Sequence, residues 1–289
     1  MYDVLYEVIY DVVGDKIYYI KGENKMKILA FGTLKGGTGK TSVAFNIGGI
    51  LAEKHKVLFI DVDPQSNLSD NVGVDTTNQW GASIRDVFND PQHTKAEDVI
   101  TVNPMPELPN IDIIASHIRL TATELQLVAL AGRERILQRW IERNRKTLSQ
   151  YDYIIFDTNP SMGIVNQNAF LSADKIILVS DVSKKAIQGA QLFAYLWGEV
   201  CENMDHEDKT SALIINNCDK RTNLVKDIRE YYTDDEDFGK IVLNTIIPSR
   251  VDIKNTELTY LPINLSAPKS DACEAFRGVV AELKERKVI

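Results

Sequence analysis

The stretch KILAFGTLKGGTGKTSVAFNIGGILAEK, residues 27–54, limits what this chain can fold into more than any other. An apolar run enters glycines without a break. Beyond them Val43, Phe45, Ile47, Ile50 and Leu51 recur at the three-to-four spacing of a helix. Strand, glycine-rich turn and helix, in that order, is the setting in which G-x-x-x-x-G-K-[ST] acts as a phosphate-binding loop. Gly39, Lys40 and Thr41 fill the G-K-[ST] end of the motif, and Gly32, Gly36 and Gly37 add freedom ahead of it. Glycines permit positive φ and let N–H groups turn inward at the positive end of a helix, forming a nest for β- and γ-phosphates. Lys40 would neutralise the phosphates and the Thr41 hydroxyl would ligate Mg²⁺. One residue is surplus to this motif: a second lysine, Lys35, stands at the mouth of the loop.

The rest of the chain supplies strands of the same kind. KVLFIDVDPQSN (56–67) carries the apolar run Val57–Ile60, as expected of a strand buried on both faces of a parallel sheet, and ends in Asp61 and Asp63. YDYIIFDTNPS (151–161) leads Ile154, Ile155 and Phe156 into Asp157. Ligands of open α/β sheets gather at the carboxyl ends of strands, so these aspartates fall beside the loop, where a carboxylate can hold Mg²⁺ through water. Further strands are expected at 110–116, 175–181, 211–219 and 240–248, with helices between them and a last helix near 270–286. Segment 118–149 reads as one or two amphipathic helices. Segment 88–110, with Pro91, Pro104, Pro106 and Pro109, reads as a surface excursion. The fold class is therefore α/β, a mostly parallel twisted sheet flanked by helices on both faces.

Composition excludes other classes. A chain of 289 residues, 44% hydrophobic, can bury one large α/β core and leaves little for a second full domain. Cys201, Cys218 and Cys273 are widely spaced with no C-x-x-C pair, as expected of buried thiols in a reducing cytoplasm. No apolar run reaches the ~18 residues of a membrane span, and the N-terminus lacks a basic leader region. A net charge of −8 argues against a whole-molecule grip on nucleic acid, though not against a local basic patch.

The segments KGGTGKTS, FIDVDPQSNLS and YDYIIFDTNPS together resemble the ParA family of deviant Walker-type P-loop ATPases, which includes partition ATPases and the division-site protein MinD. IDIIASHIRLTATE and LNTIIPSRVDIKNTELTYLPI extend the resemblance over about residues 26–287, and DVDPQ favours partition proteins over MinD. Asn159 departs from the proline common after DT in the family, a change expected to alter loop stiffness rather than chemistry.

The resemblance implies an ATPase using ATP and Mg²⁺. Lys35 matches the signature lysine that crosses a dimer interface to the phosphates held by the other subunit. A cation there stabilises developing charge as an arginine finger does in trans, and loss of the γ-phosphate weakens the clamp. By position, Asp63 would orient or activate water, and Thr41, Asp61 and Asp157 would support Mg²⁺. Gly36, Gly37, Thr38, Gly39, Lys40, Thr41 and Ser42 would hold the phosphates. Asn216 or Asn217 would meet the adenine edge with Pro248 packing nearby, or the asparagines would merely satisfy backbone groups. The implied partners are a second copy in an ATP-dependent homodimer, nonspecific DNA and a ParB-like centromere-binding adaptor, with the protein on the nucleoid. Lys184, Lys185, Arg250, Lys254 and Lys269 are the candidate DNA contacts, or else ordinary solubilising charges.

Residues 26–289 form the ATPase domain on this reading. Residues 1–25 alternate apolar and polar around Val-Gly-Asp, as in a hairpin or two short strands. That extension is too short for a helix-turn-helix; it would add an edge strand, join the dimer, bind a partner, or be a non-native leader ahead of Met26. Two alternatives remain. A MinD-like membrane-cycling regulator needs a C-terminal amphipathic anchor, whereas Ala272, Phe276, Val279, Val280 and Leu283 read as a core-facing stripe. An amidoligase on the same scaffold would turn over ATP with a small acid.

Overall fold

The computed structural model describes the backbone of residues 8–13 and 16–21, and residues 26–77, 81–219 and 224–289 in full. Strands β1 (Val8–Val13) and β2 (Lys16–Lys21) pair antiparallel. Gly14 and Asp15 of the expected turn lie outside the described residues.

The main sheet holds β3 (Lys27–Gly32), β4 (Val57–Asp61), β5 (Ile100–Val102), β6 (Ile111–Ile114), β7 (Tyr153–Asp157), β8 (Lys175–Ser180) and β9 (Thr210–Ile215). Their spatial order is β5-β6-β4-β7-β3-β8-β9, parallel throughout except for β5. Period-two alternation splits each central strand between two cores. Ile28, Ala30, Leu58, Ile60, Ile154 and Phe156 face one side, where the helices Ile136–Arg143, Ile164–Ser172 and Lys184–Met204 pack. Leu29, Phe31, Val57, Phe59, Tyr153 and Ile155 face the other, under the helices Lys40–Leu51 and Asp271–Glu285. Gly48 permits that second contact, since a Cβ there would lie 2.2 Å from the Phe59 ring. Burying a phenylalanine is worth roughly 1.5–3 kcal/mol, which outweighs the roughly 1 kcal/mol lost by glycine inside a helix.

Three expectations need correction. Segment 240–248 is not a regular strand. It meets β9 and the residues after it through isolated bridges, Leu213 with Val242 and Cys218 with Pro248, and through single backbone hydrogen bonds such as Ile247 N–H to the Ile215 carbonyl (3.0 Å). Between them the Glu282 carboxylate accepts the N–H groups of Asn244 (2.7 Å) and Thr245 (2.8 Å), which diverts them from the sheet. Segment 88–110 is only partly a surface excursion: it forms a short helix, Ala96–Val99, and the antiparallel edge strand β5, and buries Ala96, Val99, Met105 and Leu108. Segment 118–149 breaks into Leu120–Leu127, a 3-10 turn at Arg133–Arg135, Ile136–Arg143 and Arg145–Leu148. The break falls at Gly132, whose φ of 66° is left-handed, and at Asn168, whose side chain accepts Leu137 N–H and donates to the Arg133 carbonyl.

Candidate nucleotide-binding site

β3 lies inside the sheet between β7 and β8, and its exit delivers the glycine loop to the first turn of the helix Lys40–Leu51. Gly37 (φ 79°) and Gly39 (φ 80°) adopt left-handed backbone that L side chains rarely take, so the loop's curvature requires them. Gly39 answers a second demand: a Cβ there would lie 2.4 Å from the Asn216 amide nitrogen. That nitrogen donates to the Thr38 carbonyl at 2.8 Å, so Asn216 braces the loop from the end of β9.

The loop lines a cavity of about 430 Å³ together with Lys35, Lys40, Thr41, Asp63 and Gln65. Lys40 is buried there, and its ammonium donates to Asp157 Oδ1 at 2.6 Å and to the Thr158 carbonyl. Asp157 Oδ2 and Thr38 Oγ1 are buried without hydrogen-bond partners. Orphaned buried polar atoms destabilise by roughly 1–3 kcal/mol each, and such atoms at a phosphate loop fit a site built for a ligand rather than for stability. Among the described residues no group of three His, Cys, Asp or Glu could hold a metal ion. A cation here would therefore rest on one or two protein oxygens, phosphate and water, which is the manner of Mg²⁺. The Asp157 oxygen and the Thr41 hydroxyl suit that role.

Asp61 and Asp157 are register partners across β4 and β7. Asp61 is fully buried with both oxygens engaged: Oδ1 accepts Asp63 N–H (3.0 Å), and Oδ2 accepts Ser69 N–H (3.0 Å) and Ser69 Oγ–H (2.7 Å). Burial, reinforced by the Asp157 charge, pushes its carboxyl up. Asp61 thus organises the turn after β4, while Asp157 keeps an open oxygen. Asp63 lies at the cavity wall, accepts Gln65 N–H at 2.8 Å, and has its carboxyl raised by burial. The next turn is tied down around Asn159, whose side-chain oxygen accepts from Ser161 Oγ (2.5 Å) and from Asn166 Nδ2 (2.8 Å). Hydrogen bonds there stand where a proline ring would otherwise stiffen the chain.

Lys35 does not point into solvent. Its ammonium pairs with Asp181, just beyond β8, and a Cβ at Gly189 would come within 3.1 Å of Lys35 Cβ. Burial alone would raise the Asp181 carboxyl; hydrogen bonds from Lys35 and Ser183 overcome it and hold the carboxyl below its ordinary range. A smaller cavity of about 130 Å³ adjoins the first and shares Gly37, Thr38, Gly39, Ser42 and Glu257 with it, and Asn217 and Pro248 line the smaller one alone. Asn217 is exposed with φ 56°.

The basic candidates divide. Lys184 and Lys185 open the helix Lys184–Met204 beside Asp181, and both are exposed, as is Lys269. Lys254 is exposed and lines the smaller cavity. Arg250 lines it too, but its guanidinium grips the Asp271 carboxylate through Nε (2.9 and 3.0 Å) and Nη2 (2.6 Å), which matches its charge within the chain. Sequence reasoning missed Ser69, the brace role of Asn216, Asp181 and Glu257. Only Asp181 carried a signal, since KIILVSD is a third apolar strand that ends in aspartate.

A glycine nest on a helix N-terminus, with a buried lysine and paired strand-end aspartates, defines a P-loop nucleoside-triphosphate-binding protein. A family model described as an AAA domain matches residues 26–208, and the chain belongs to the ParA family of P-loop ATPases. The sporulation initiation inhibitor protein Soj of Bacillus subtilis is 28% identical over 262 residues, 89% of this chain and 98% of Soj. A putative plasmid partition protein from Borrelia burgdorferi, solved with AMPPNP bound, superposes with a TM-score of 0.74 at 21% identity over 90% of this chain and 99% of that one. A cobyrinic acid a,c-diamide synthase from Mycobacterium smegmatis, with bound ATP analogue and magnesium, reaches 0.75 at 24% identity over 90% and 94%. The two structural likenesses show the fold alone.

Proposed function

We propose that this chain is a DNA partition ATPase that hydrolyses ATP to ADP and phosphate. The observation that carries the reading is the loop itself: a buried Lys40 beside an open Asp157 oxygen, with a second lysine, Lys35, on the wall of the same cavity. The loop N–H groups and Lys40 hold the phosphates, Thr41 and Asp157 hold Mg²⁺, and Asp63, with its raised carboxyl, orients the attacking water. Mg²⁺, when held there, would supply positive charge that offsets the charge of the phosphates.

Lys35 acts across an ATP-dependent homodimer on the partner's phosphates, so ATP closes the dimer and hydrolysis releases it. The dimer binds DNA without sequence preference through Lys184, Lys185, Lys254 and Lys269, and a ParB-like centromere-binding adaptor stimulates turnover on the nucleoid. Burial of Ala272, Phe276, Val279, Val280 and Leu283 favours this over a membrane-cycling regulator, since the last helix spends its apolar face on the core. Among the described residues no helix is long and apolar enough to cross a membrane. The test is ATPase rate with and without nonspecific DNA and the product of the neighbouring gene. Acceleration only with both supports partition; acceleration by a small acid alone points to an amidoligase.

A further inference from the structure

Glu257 occupies an unexpected place for an acid. Among the described residues it is the only charged one that lines both adjoining cavities; the other shared residues, Gly37, Thr38, Gly39 and Ser42, belong to the phosphate loop and the turn that follows it. Among the described residues it has no hydrogen-bond or ion-pair partner, although Arg250 and Lys254 also line the smaller cavity. A carboxylate only accepts hydrogen bonds. Toward a triphosphate, itself acceptor-rich and anionic, it is repulsive, so its place at the junction calls for a ligand portion that donates.

An extended nucleoside triphosphate has donors at two points: the ribose hydroxyls, between phosphates and base, and the 6-amino group at the far end of adenine. Lys35, Lys40 and Asp63 line only the larger cavity, Asn217 and Pro248 only the smaller, and Glu257 lines both, which is the place expected of a contact to the sugar between phosphates and base. We propose that Glu257 receives the 2′- and 3′-hydroxyls of the bound nucleotide and makes the site selective for ribonucleotides. The proposal rests on the ATP-binding reading above. It also accounts for the placement of the helix Val251–Thr259, which carries Glu257 over the loop, turned so that Thr256 is buried and Glu257 faces the cavity.

The test is calorimetric binding of ATP, 2′-deoxyATP, 3′-deoxyATP and inosine triphosphate to wild type, Glu257→Ala and Glu257→Gln. Glu257 is exposed, so neither variant should lose the fold, and thermal melts check this. Wild type should prefer ATP to either deoxynucleotide by roughly ten- to a hundredfold, the range for a hydrogen bond to a charged group. Glu257→Ala should bind ATP and the deoxynucleotides alike, and Glu257→Gln, which still accepts, should keep part of the preference. Equal wild-type affinities, or an intact preference in Glu257→Ala, overturns the ribose assignment while leaving ATP binding in place. Loss instead of an ATP-over-inosine preference in Glu257→Ala puts the carboxylate on the base and also overturns it. Failure of wild type to bind any of the four removes the nucleotide site itself.

Discussion

Single side chains in this site are set by what surrounds them. Asp63 keeps one oxygen on Gln65 N–H, and burial raises its carboxyl, the direction that makes a carboxylate a stronger base. Asp63→Ala should retain ATP binding yet lower turnover by about 10²–10⁴-fold, the usual contribution of a general base; an unchanged steady-state rate removes it from the mechanism. Lys35 is held within its own chain by Asp181, so any use of Lys35 on a second subunit must break that pair. The pair is partly exposed, and its worth is on the order of 1 kcal/mol. Both subunits of the dimer must break the pair, so Asp181→Asn should tighten ATP-dependent dimerisation by about thirtyfold, read by sedimentation across a protein-concentration series. Weaker dimerisation would mean that Asp181 positions Lys35 rather than restrains it. Lys35 is conspicuous in the sequence, but its partner lies 146 residues away and only the adjacency of β3 and β8 joins them.

At the scale of elements, the edge of the sheet beyond β9 turns on one buried acid. Glu282, on the helix Asp271–Glu285, accepts two backbone N–H groups from segment 240–248 and pairs with Arg286 at 2.6 Å. Burial opposes its ionisation, but those N–H groups outweigh it and hold the carboxyl below the ordinary glutamate range. Because the folded value lies below the unfolded one, Glu282 adds stability above about pH 4.3. That stability disappears as pH falls through the depressed folded value. Glu282→Gln should lower stability by about 1–3 kcal/mol near neutrality, and the gap from wild type should close in acid. Urea melts at several pH values measure both, and a pH-independent gap would show that shape, not charge, matters there. The apolar run of 240–248 promised a strand, and nothing local in it announces that a distant carboxylate takes its amides.

For the whole molecule, charge and assembly decide together. At a net charge of −8, the proposed DNA binding must rest on a local basic patch, which the proposed dimer would double. Lys35→Ala should bind ATP through its intact loop but fail to dimerise, and its DNA affinity should fall although Lys35 need not touch DNA. A monomer makes about half the phosphate contacts, so the slope of log affinity against log salt should roughly halve. Binding across a salt series, paired with sedimentation, reads both effects. A Lys35→Ala protein that dimerises with ATP and keeps the wild-type slope makes Lys35 an ordinary surface charge.

The sequence by itself determined the loop, its Lys40 and Thr41, the buried parallel strands and the aspartates at their carboxyl ends. All of these are short-range: a glycine's backbone freedom, a run of apolar residues and a helix period act within a few positions. It also settled that the last helix faces the core, since a stripe at helical spacing is local too. What only the tertiary structure decided are the partnerships across the fold. Asn216 braces Thr38 from the end of β9, Asp61 is spent on Ser69, Lys35 rests on Asp181, and Glu257 leans over the loop from a helix more than two hundred residues away. Hydrogen bonds and ion pairs act over a few ångströms of space without regard to separation along the chain, so the order of strands in the sheet, and not any local pattern, chooses which side chains meet.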